Sequence, residues 1–387
     1  MKTTAIIAEY NPFHNGHLHH INRTREITNC DNIVVIMSGN FVQRGEPAFI
    51  NKNIRTKMAL LNNVDMVIEL PVEYATGAAD IFSSKAVELI KSLGIVDNLS
   101  FGSESGSIEE FNNIKDILYN EPAQFKSVLK DNLATGASYP LARQNALEFI
   151  LNKDLSFLNR PNNILALEYL LALKDTNIKP ITIPRIAASY NDKELSGNIS
   201  SATAIRENIL AKNYNKALEA IPNNCTIFFA NYNDTNSIPV INKLSTILHY
   251  LLRTTSTDEL AKIADITEGL ENRIKSLSQG ELITELTSKI KTKRYTYTKI
   301  QRALLHIILN IKKTDQINDI KYIRILGLKK EKMHLLSELH TKATLPIITN
   351  VKNNENLLKK EIEATDIYNI MTKKQIGNEY TNPLIII

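Results

Sequence analysis

The first hundred residues keep a beat of roughly thirty, and no other feature constrains the fold of this chain as strongly. Short runs rich in apolar and β-branched residues fall at Thr4–Ala8, Ile33–Met37, Met66–Leu70 and Asn98–Phe101. Each is followed by a polar or Gly-containing turn and then a helix-like stretch, as at Ile54–Leu61 and Ser84–Ser92. Parallel strands need a long crossover connection, usually a helix, so this beat predicts βαβ units and a mostly parallel sheet. Runs this apolar predict strands covered on both faces. Ile108 to Leu173 reads mainly as helix, and Ile181–Ile183 as one more buried strand. Open α/β sheets collect ligands beyond the carboxyl ends of their strands, so the loops there are where chemistry is sought.

Beyond about residue 215 the pattern changes. Leu244, Ile247, Leu248, Leu251 and Leu252 follow the spacing of an amphipathic helix, and Ile300, Ala303, Leu304, Ile307 and Ile308 repeat it. Strand signals are rare there, apart from Leu345–Ile348 and Leu384–Ile387. The expected organisation is an α/β domain over residues 1–215 and a mainly α-helical domain over residues 216–387. With 43% hydrophobic residues, 22% charged, 13 Gly and 12 Pro, the chain is neither disordered nor linker-rich. Cys30 and Cys225 are its only cysteines, which excludes a disulfide scaffold and a cysteine-based zinc site. No apolar run is long enough to span a membrane, and Met1-Lys2-Thr3-Thr4 carries no signal-peptide pattern. A reducing, cytoplasmic location is expected.

After the first strand comes Glu9-Tyr10-Asn11-Pro12-Phe13-His14-Asn15-Gly16-His17-Leu18. Pro12 is expected to end the strand, and Asn15 to cap a helix starting near Gly16. Two imidazoles then stand at a helix N-terminus, where free N–H groups and partial positive charge suit phosphate. Histidines there can donate to phosphoryl oxygens and stabilise developing charge, while Gly16 leaves room for close approach of a nucleotide. Three other readings compete. His14, His17, His19 and His20 resemble a metal site in number but lack an acidic cluster, the pair has a purely structural reading, and an acid–base role lacks a named partner.

The order strand, Pro, His, Gly, His resembles the signature of the HIGH superfamily of nucleotidylyltransferases and class I aminoacyl-tRNA synthetases. Ser201-Ala202-Thr203-Ala204-Ile205-Arg206 is similar to the later phosphate loop of those enzymes. The resemblance implies a Rossmann-like nucleotidylyltransferase domain with a parallel sheet. It also implies that the hydroxyls of Ser201 and Thr203 hold the β- and γ-phosphates, with Arg206 adding charge. Ala8 and Glu9 stand where that pattern commonly has Gly, and Ala202 replaces a Ser. An acid at Glu9 is unfavourable beside phosphates unless it faces a metal or an amine.

These departures, with several later blocks, resemble the tRNA(Met) cytidine acetate ligase family. The blocks are Met37-Ser38-Gly39-Asn40-Phe41-Val42-Gln43-Arg44-Gly45-Glu46-Pro47-Ala48, Arg55–Leu60, Asp65–Pro71 and Phe101-Gly102-Ser103-Glu104, then Gly136–Pro140, Pro161-Asn162-Asn163-Ile164-Leu165 and Lys293-Arg294-Tyr295-Thr296. Such enzymes activate acetate with ATP to acetyl-adenylate and pyrophosphate, then pass the acetyl group to N4 of the wobble cytidine of elongator tRNA(Met). The resemblance implies an ATP site on Ile7, Ala8, Glu9, Tyr10, Asn11, Pro12, Phe13, His14, Asn15, Gly16, His17, Leu18, His19 and His20, with Gly102, Asn162 and Arg185. Asn163 is the neighbour with which Asn162 is most easily confused, and a helix cap after Pro161 is the plain reading of either. His14, His17, Ser201, Thr203 and Arg206 are the catalytic candidates. Attack on the α-phosphate needs no protein nucleophile, only positioning and charge neutralisation, with Mg²⁺ expected to bridge the phosphates and no metal held by the protein itself. Arg44, Lys52, Arg55 and Lys57 are candidates for binding acetate or the α-phosphate, against a plain reading as surface charge.

The formal net charge of +5 conceals an uneven distribution. Lys289 to Lys332 carries 13 Lys or Arg against Asp315, Asp319 and Glu331, so the remainder of the chain is net negative. Lys289, Lys291, Lys293, Arg294, Lys299 and Arg302 form its densest part, interleaved with Tyr295 and Tyr297. Cations beside aromatics suit the phosphates and splayed bases of a tRNA anticodon loop, and a solvated helical face is the plain alternative. This segment is expected to grip tRNA and to lie outside the nucleotide site. Two further readings stand beside the ligase: an enzyme that adenylylates a phosphorylated coenzyme precursor, and a non-catalytic tRNA-binding protein.

Overall fold

The computed structural model describes residues 1–185, 199–233, 238–267 and 269–387. β1 (Thr3–Ala8) and β2 (Asn32–Ser38) are buried at nearly every position and apolar through their centres because both faces of their sheet are covered. Their side chains alternate between two cores. Ala5, Ile7, Val34 and Ile36 pack with helices Ala79–Leu93 and Pro161–Ala172, while Ile6, Ile33, Val35 and Met37 pack with Ile21, Met58 and Ile205 on the other face.

A two-residue pair, β3 (Phe41–Val42) and β4 (Glu46–Pro47), forms a separate hairpin. The main sheet continues with β5 (Met66–Leu70), β6 (Asn98–Ser103) and β7 (Lys179–Pro184). It is completed by β8 (Ile323–Leu328), β9 (Ile347–Ile348) and β10 (Ile385–Ile386). The strand order is β10-β8-β5-β2-β1-β6-β7, with β9 on the far side of β8. β5, β2, β1, β6 and β7 are mutually parallel, and β8 runs antiparallel to β5. The order reverses at β1, so β1 and β6 flank the topological switch point where such sheets bind ligands.

The expected parallel sheet is present, and each of its five parallel strands falls where the sequence placed it. Ile323–Leu328 was not anticipated. It is buried along its whole length, with Arg324 inside it neutralised by Glu69 and Glu379. The halves divided at residues 215/216 thus both contribute strands to one sheet. The helices expected in the second half are present as Ser245–Thr254 and Tyr297–Leu309, and their apolar faces form a core with Leu260, Ile274 and Leu286. Phe41 and Tyr368 also enter that core, which joins the helical region to the sheet. Gly45, at φ 76°, lets the hairpin turn press on the helical backbone: a Cβ there would lie 2.7 Å from Arg302 N.

Candidate active site

β1 stops at Ala8, four residues before Pro12, because Tyr10 turns into the left-handed region at φ 50°. The helix that follows is Asn15–Thr28, and its cap is His14 rather than the expected Asn15. His14 Nδ1 accepts from Gly16 N–H at 3.1 Å, and His17 Nδ1 accepts from His14 N–H at 3.3 Å. Asn15 is occupied elsewhere, donating from its amide to Glu219 O. The two rings stack with centroids 3.7 Å apart, and Tyr10 meets His17 edge-on at 4.8 Å.

This geometry fixes the tautomers. A backbone N–H only donates, so each Nδ1 is an acceptor and each neutral ring carries its proton on Nε2. Burial, with Arg185 and Arg206 nearby, lowers His14 to about 3. Burial and the adjacent His14 likewise take His17 well below the usual histidine range, and burial and Arg185 take His20 to about 4. At neutral pH the pair is therefore two uncharged Nε2–H donors. Gly16 lines the cavity and has a second role besides the one expected. A Cβ on it would sit 2.9 Å from His14 Cε1 and 3.0 Å from His14 Nδ1, so its missing side chain makes room for the His14 ring.

Ser201 caps helix Ala202–Leu210, its hydroxyl accepting from Ala204 N–H at 3.0 Å. Arg206, one turn into that helix, donates to Asn11 O at 2.7 Å and to Thr203 Oγ1 at 3.4 Å. It thereby ties the later motif to the loop after β1. A cavity of about 880 Å³ opens between the two motifs. Of the predicted ATP residues, Ile7, Ala8, Glu9, Tyr10, Asn11, His14, Gly16, His17, His19 and His20 line it, as do Gly102, Asn162 and Arg185. Pro12, Phe13, Asn15 and Leu18 are not among its lining residues; Phe13 is fully buried in the core behind the motif. Ser201, Thr203 and Arg206 all line it.

The neighbours Asn162 and Asn163 separate cleanly. Asn162 faces the cavity and donates to Glu104 Oε1 at 2.6 Å. Asn163 is buried and holds the loop after β6, accepting from Glu104 N and Ser105 N and donating to Phe157 O. Gly102 is the last residue but one of β6, beside Arg185, and a Cβ on it would meet Arg185 Cγ at 3.5 Å and Ile183 O at 3.8 Å, both ordinary contacts. Nothing in the described protein requires glycine there, and the open side belongs to the cavity.

Of the four cations proposed for acetate or the α-phosphate, only Arg44 lines the cavity. Lys52 is buried between Glu69 at 2.7 Å and Glu379 at 2.5 Å. Arg55 is buried too and donates to the carbonyls of Ile50, Glu9, Ser38 and Gly39. Lys57 lies on an exposed helix face away from the lining. A buried lysine or arginine is retained where carboxylates or carbonyls satisfy it, which is what Lys52 and Arg55 have found.

The basic segment also differs from expectation. It was placed outside the nucleotide site, yet Arg294, Lys299 and Arg302 line the same cavity. Arg302 is buried and bound through two nitrogens to Asp265, at 2.8 and 3.0 Å, and Lys299 donates to Thr267 Oγ1 at 3.0 Å. Burial alone would raise the Asp265 carboxyl, but Arg302 outweighs it and lowers it. Lys289 pairs with Glu281, and Lys291, Lys293 and Arg294 are exposed. Sequence reasoning missed Arg143, which lines the cavity paired with Glu168, because nothing local marks either residue. Among the described residues no group of three or more His, Cys, Asp or Glu stands close enough to hold a metal ion.

The HIGH Nucleotidyl Transferase family matches residues 1–382. Proteins named tRNA(Met) cytidine acetate ligase from Thermoanaerobacter sp. (strain X514) and Clostridium perfringens (strain ATCC 13124) are 41% and 38% identical, each over 100% of both chains. Two crystal structures of Thermotoga maritima TmcAL match across all of both chains. The apo form has a TM-score of 0.93 at 31% identity, and the form bound with alpha-thio ATP has 0.90 at 30%. The chain therefore belongs to the tRNA(Met) cytidine acetate ligase family of HIGH nucleotidyl transferases and is an enzyme of the ligase class.

Proposed function

We propose that this enzyme activates acetate with ATP, forming acetyl-adenylate and pyrophosphate, and then acetylates N4 of the wobble cytidine of elongator tRNA(Met). The observation that carries the reading is the paired neutral imidazoles at a helix N-terminus, facing Ser201, Thr203 and Arg206 across one cavity at the sheet's switch point. Two uncharged Nε2–H donors and the positive end of a helix match the charge that builds on a pyrophosphate leaving group. The solved relative bound with alpha-thio ATP supports ATP as the nucleotide, and the names of the relatives support tRNA(Met) as the acceptor.

In this reading Gly102 and Asn162 receive the adenosine and Arg185 the phosphates, while His14, His17, Ser201, Thr203 and Arg206 hold the leaving pyrophosphate. Among the described residues no group of three or more His, Cys, Asp or Glu is placed to hold a resident metal ion. Mg²⁺ enters as part of the nucleotide substrate, which is its usual mode with phosphates. Exposed Lys291, Lys293 and Arg294 lead from the cavity rim toward solvent, where they suit the backbone of a docked anticodon loop. No helix among the described residues is long and apolar enough to cross a membrane, and tRNA as acceptor suits the cytoplasm.

Pyrophosphate exchange into ATP, measured over a panel of carboxylic acids with and without tRNA, tests the reading. Acetate-dependent exchange and label transfer from acetate to tRNA(Met) are expected. Nucleotide transfer to a phosphorylated coenzyme precursor, or RNA binding without turnover, would refute it.

A further inference from the structure

The carboxylates in the cavity wall are not equivalent. Glu168 is paired with Arg143 and Asp265 with Arg302, so neither is available for other work. Glu9 is held differently. Its carbonyl accepts from Arg55 Nη1 at 2.6 Å, and its Oε1 accepts from Gln43 N–H at 2.9 Å. The backbone and one carboxylate oxygen are thus fixed, while Oε2 accepts no hydrogen bond among the described residues. The residue lines the cavity between β1 and the His14 cap.

An acid fixed beside a phosphate site repels the first substrate, and its presence calls for a positive or hydrogen-bond-donating partner. In the reaction proposed above, that partner is the acceptor amine. Carboxylates accept from the N4 amino group of cytosine, which offers donors only. We propose that Glu9 is a catalytic residue of the transfer step, binding the cytosine N4 amine through Oε2 and taking its proton. The assignment rests on the acetate–tRNA reading. As N4 attacks the acetyl carbonyl, the N–C bond forms and the C–O bond of the mixed anhydride breaks. The electron pair leaves on the AMP phosphate oxygen, and the N4 proton passes to Glu9 and then to water.

The electrostatic setting agrees. Burial raises the Glu9 carboxyl above its usual range, opposed by the Gln43 N–H, Arg44 and Arg206, with Glu46 adding to the rise. Tyr169 also feels its charge. A base shifted toward neutrality is better matched to proton transfer near pH 7.

Glu9→Gln preserves an amide oxygen for the Gln43 N–H but cannot take a proton. Single-turnover acetyl transfer from preformed acetyl-adenylate should fall by about 100-fold or more beyond any fall in acetate-dependent pyrophosphate exchange, the usual share of a general base. Glu9→Asp should recover part of the loss. Wild-type transfer should rise with pH through a limb that is missing in the Gln variant. Transfer and exchange falling in equal proportion, or transfer in the Gln variant within threefold of wild type, would overturn the assignment. Wild-type protein that makes no acetyl-adenylate would sink the underlying reading itself, and that failure is visible before any variant is compared.

Discussion

Gly16→Ala isolates the packing of the two histidines from everything else in the site. The added methyl would lie 2.9 Å from His14 Cε1 and 3.0 Å from Nδ1. Carbon contacts relax at about 3.5–4.0 Å, so the ring has to retreat by roughly 0.5–1 Å. It is not free to do so, being held by the Gly16 N–H at 3.1 Å and by the His17 ring at 3.7 Å. Losing the cap costs about 0.5–2 kcal/mol, and the Gly→Ala change inside a helix returns about 1 kcal/mol, so the fold changes little in stability. Catalysis should change far more, because a misplacement of about 1 Å in a positioning group costs on the order of 100-fold in rate. Thermal melting and acetate-dependent pyrophosphate exchange, measured on one preparation, separate the two effects. An exchange rate within threefold of wild type would refute the argument that the cap aims the ring.

Because folded His14 and His20 resist protonation until about pH 3 and 4, the unfolded chain binds more protons below pH 6.5. Stability is therefore expected to fall as pH drops from 6.5 toward 4, by about 1.4 kcal/mol per pH unit for each such group, and urea midpoints in wild type and His20→Asn check this. If the slope is the same in both proteins, the neutral-imidazole account is wrong for His20. Lys52→Met leaves Glu69 and Glu379 in the interior with Arg324 as their one shared cation and should destabilise by about 3–5 kcal/mol, read as a lowered urea midpoint; a loss under 1 kcal/mol would show that water reaches the cluster. Replacing Lys293 and Arg294 together by Ala should weaken tRNA binding and reduce the slope of log affinity against log salt by about 1–2, whereas unchanged binding would remove them from the interface.

What was legible in the sequence was local. The strand, the turn and the paired histidines at a helix start lie within one short stretch, and their chemistry can be read from residue types alone. Ser201 and Thr203 were legible for the same reason. Two choices inside these stretches were not. Asn15 and His14 can both accept from a helix N-terminus, and the choice depends on a distant segment, since Asn15 turns its amide to Glu219 O while His14 takes the Gly16 N–H. Asn162 and Asn163 are chemically identical, and the fold of the loop after β6 assigns one to the cavity and the other to Glu104 and Ser105. β8 was hidden by its own Arg324, a charge that no strand core should hold. The two carboxylates that neutralise it come from distant parts of the chain.

The same distance effect governs the basic segment, where a count of cations overstates the charge offered to a partner. Arg302 is spent on Asp265, Lys289 on Glu281 and Arg324 on Glu69 and Glu379. Such pairs are held by geometry, so their charge is largely cancelled at the distances a polyanion senses. Lys291, Lys293 and Arg294 face solvent, and Arg294 also lies on the rim of the nucleotide cavity. The segment thus reaches from the site of activation outward instead of forming a separate patch. In the proposed reaction an activated acetyl group is exposed to water as long as it waits for its acceptor. In that proposed reaction, cations that begin at the cavity mouth offer an anticodon loop the shortest path to the anhydride, which a grip on a remote helical face could not do.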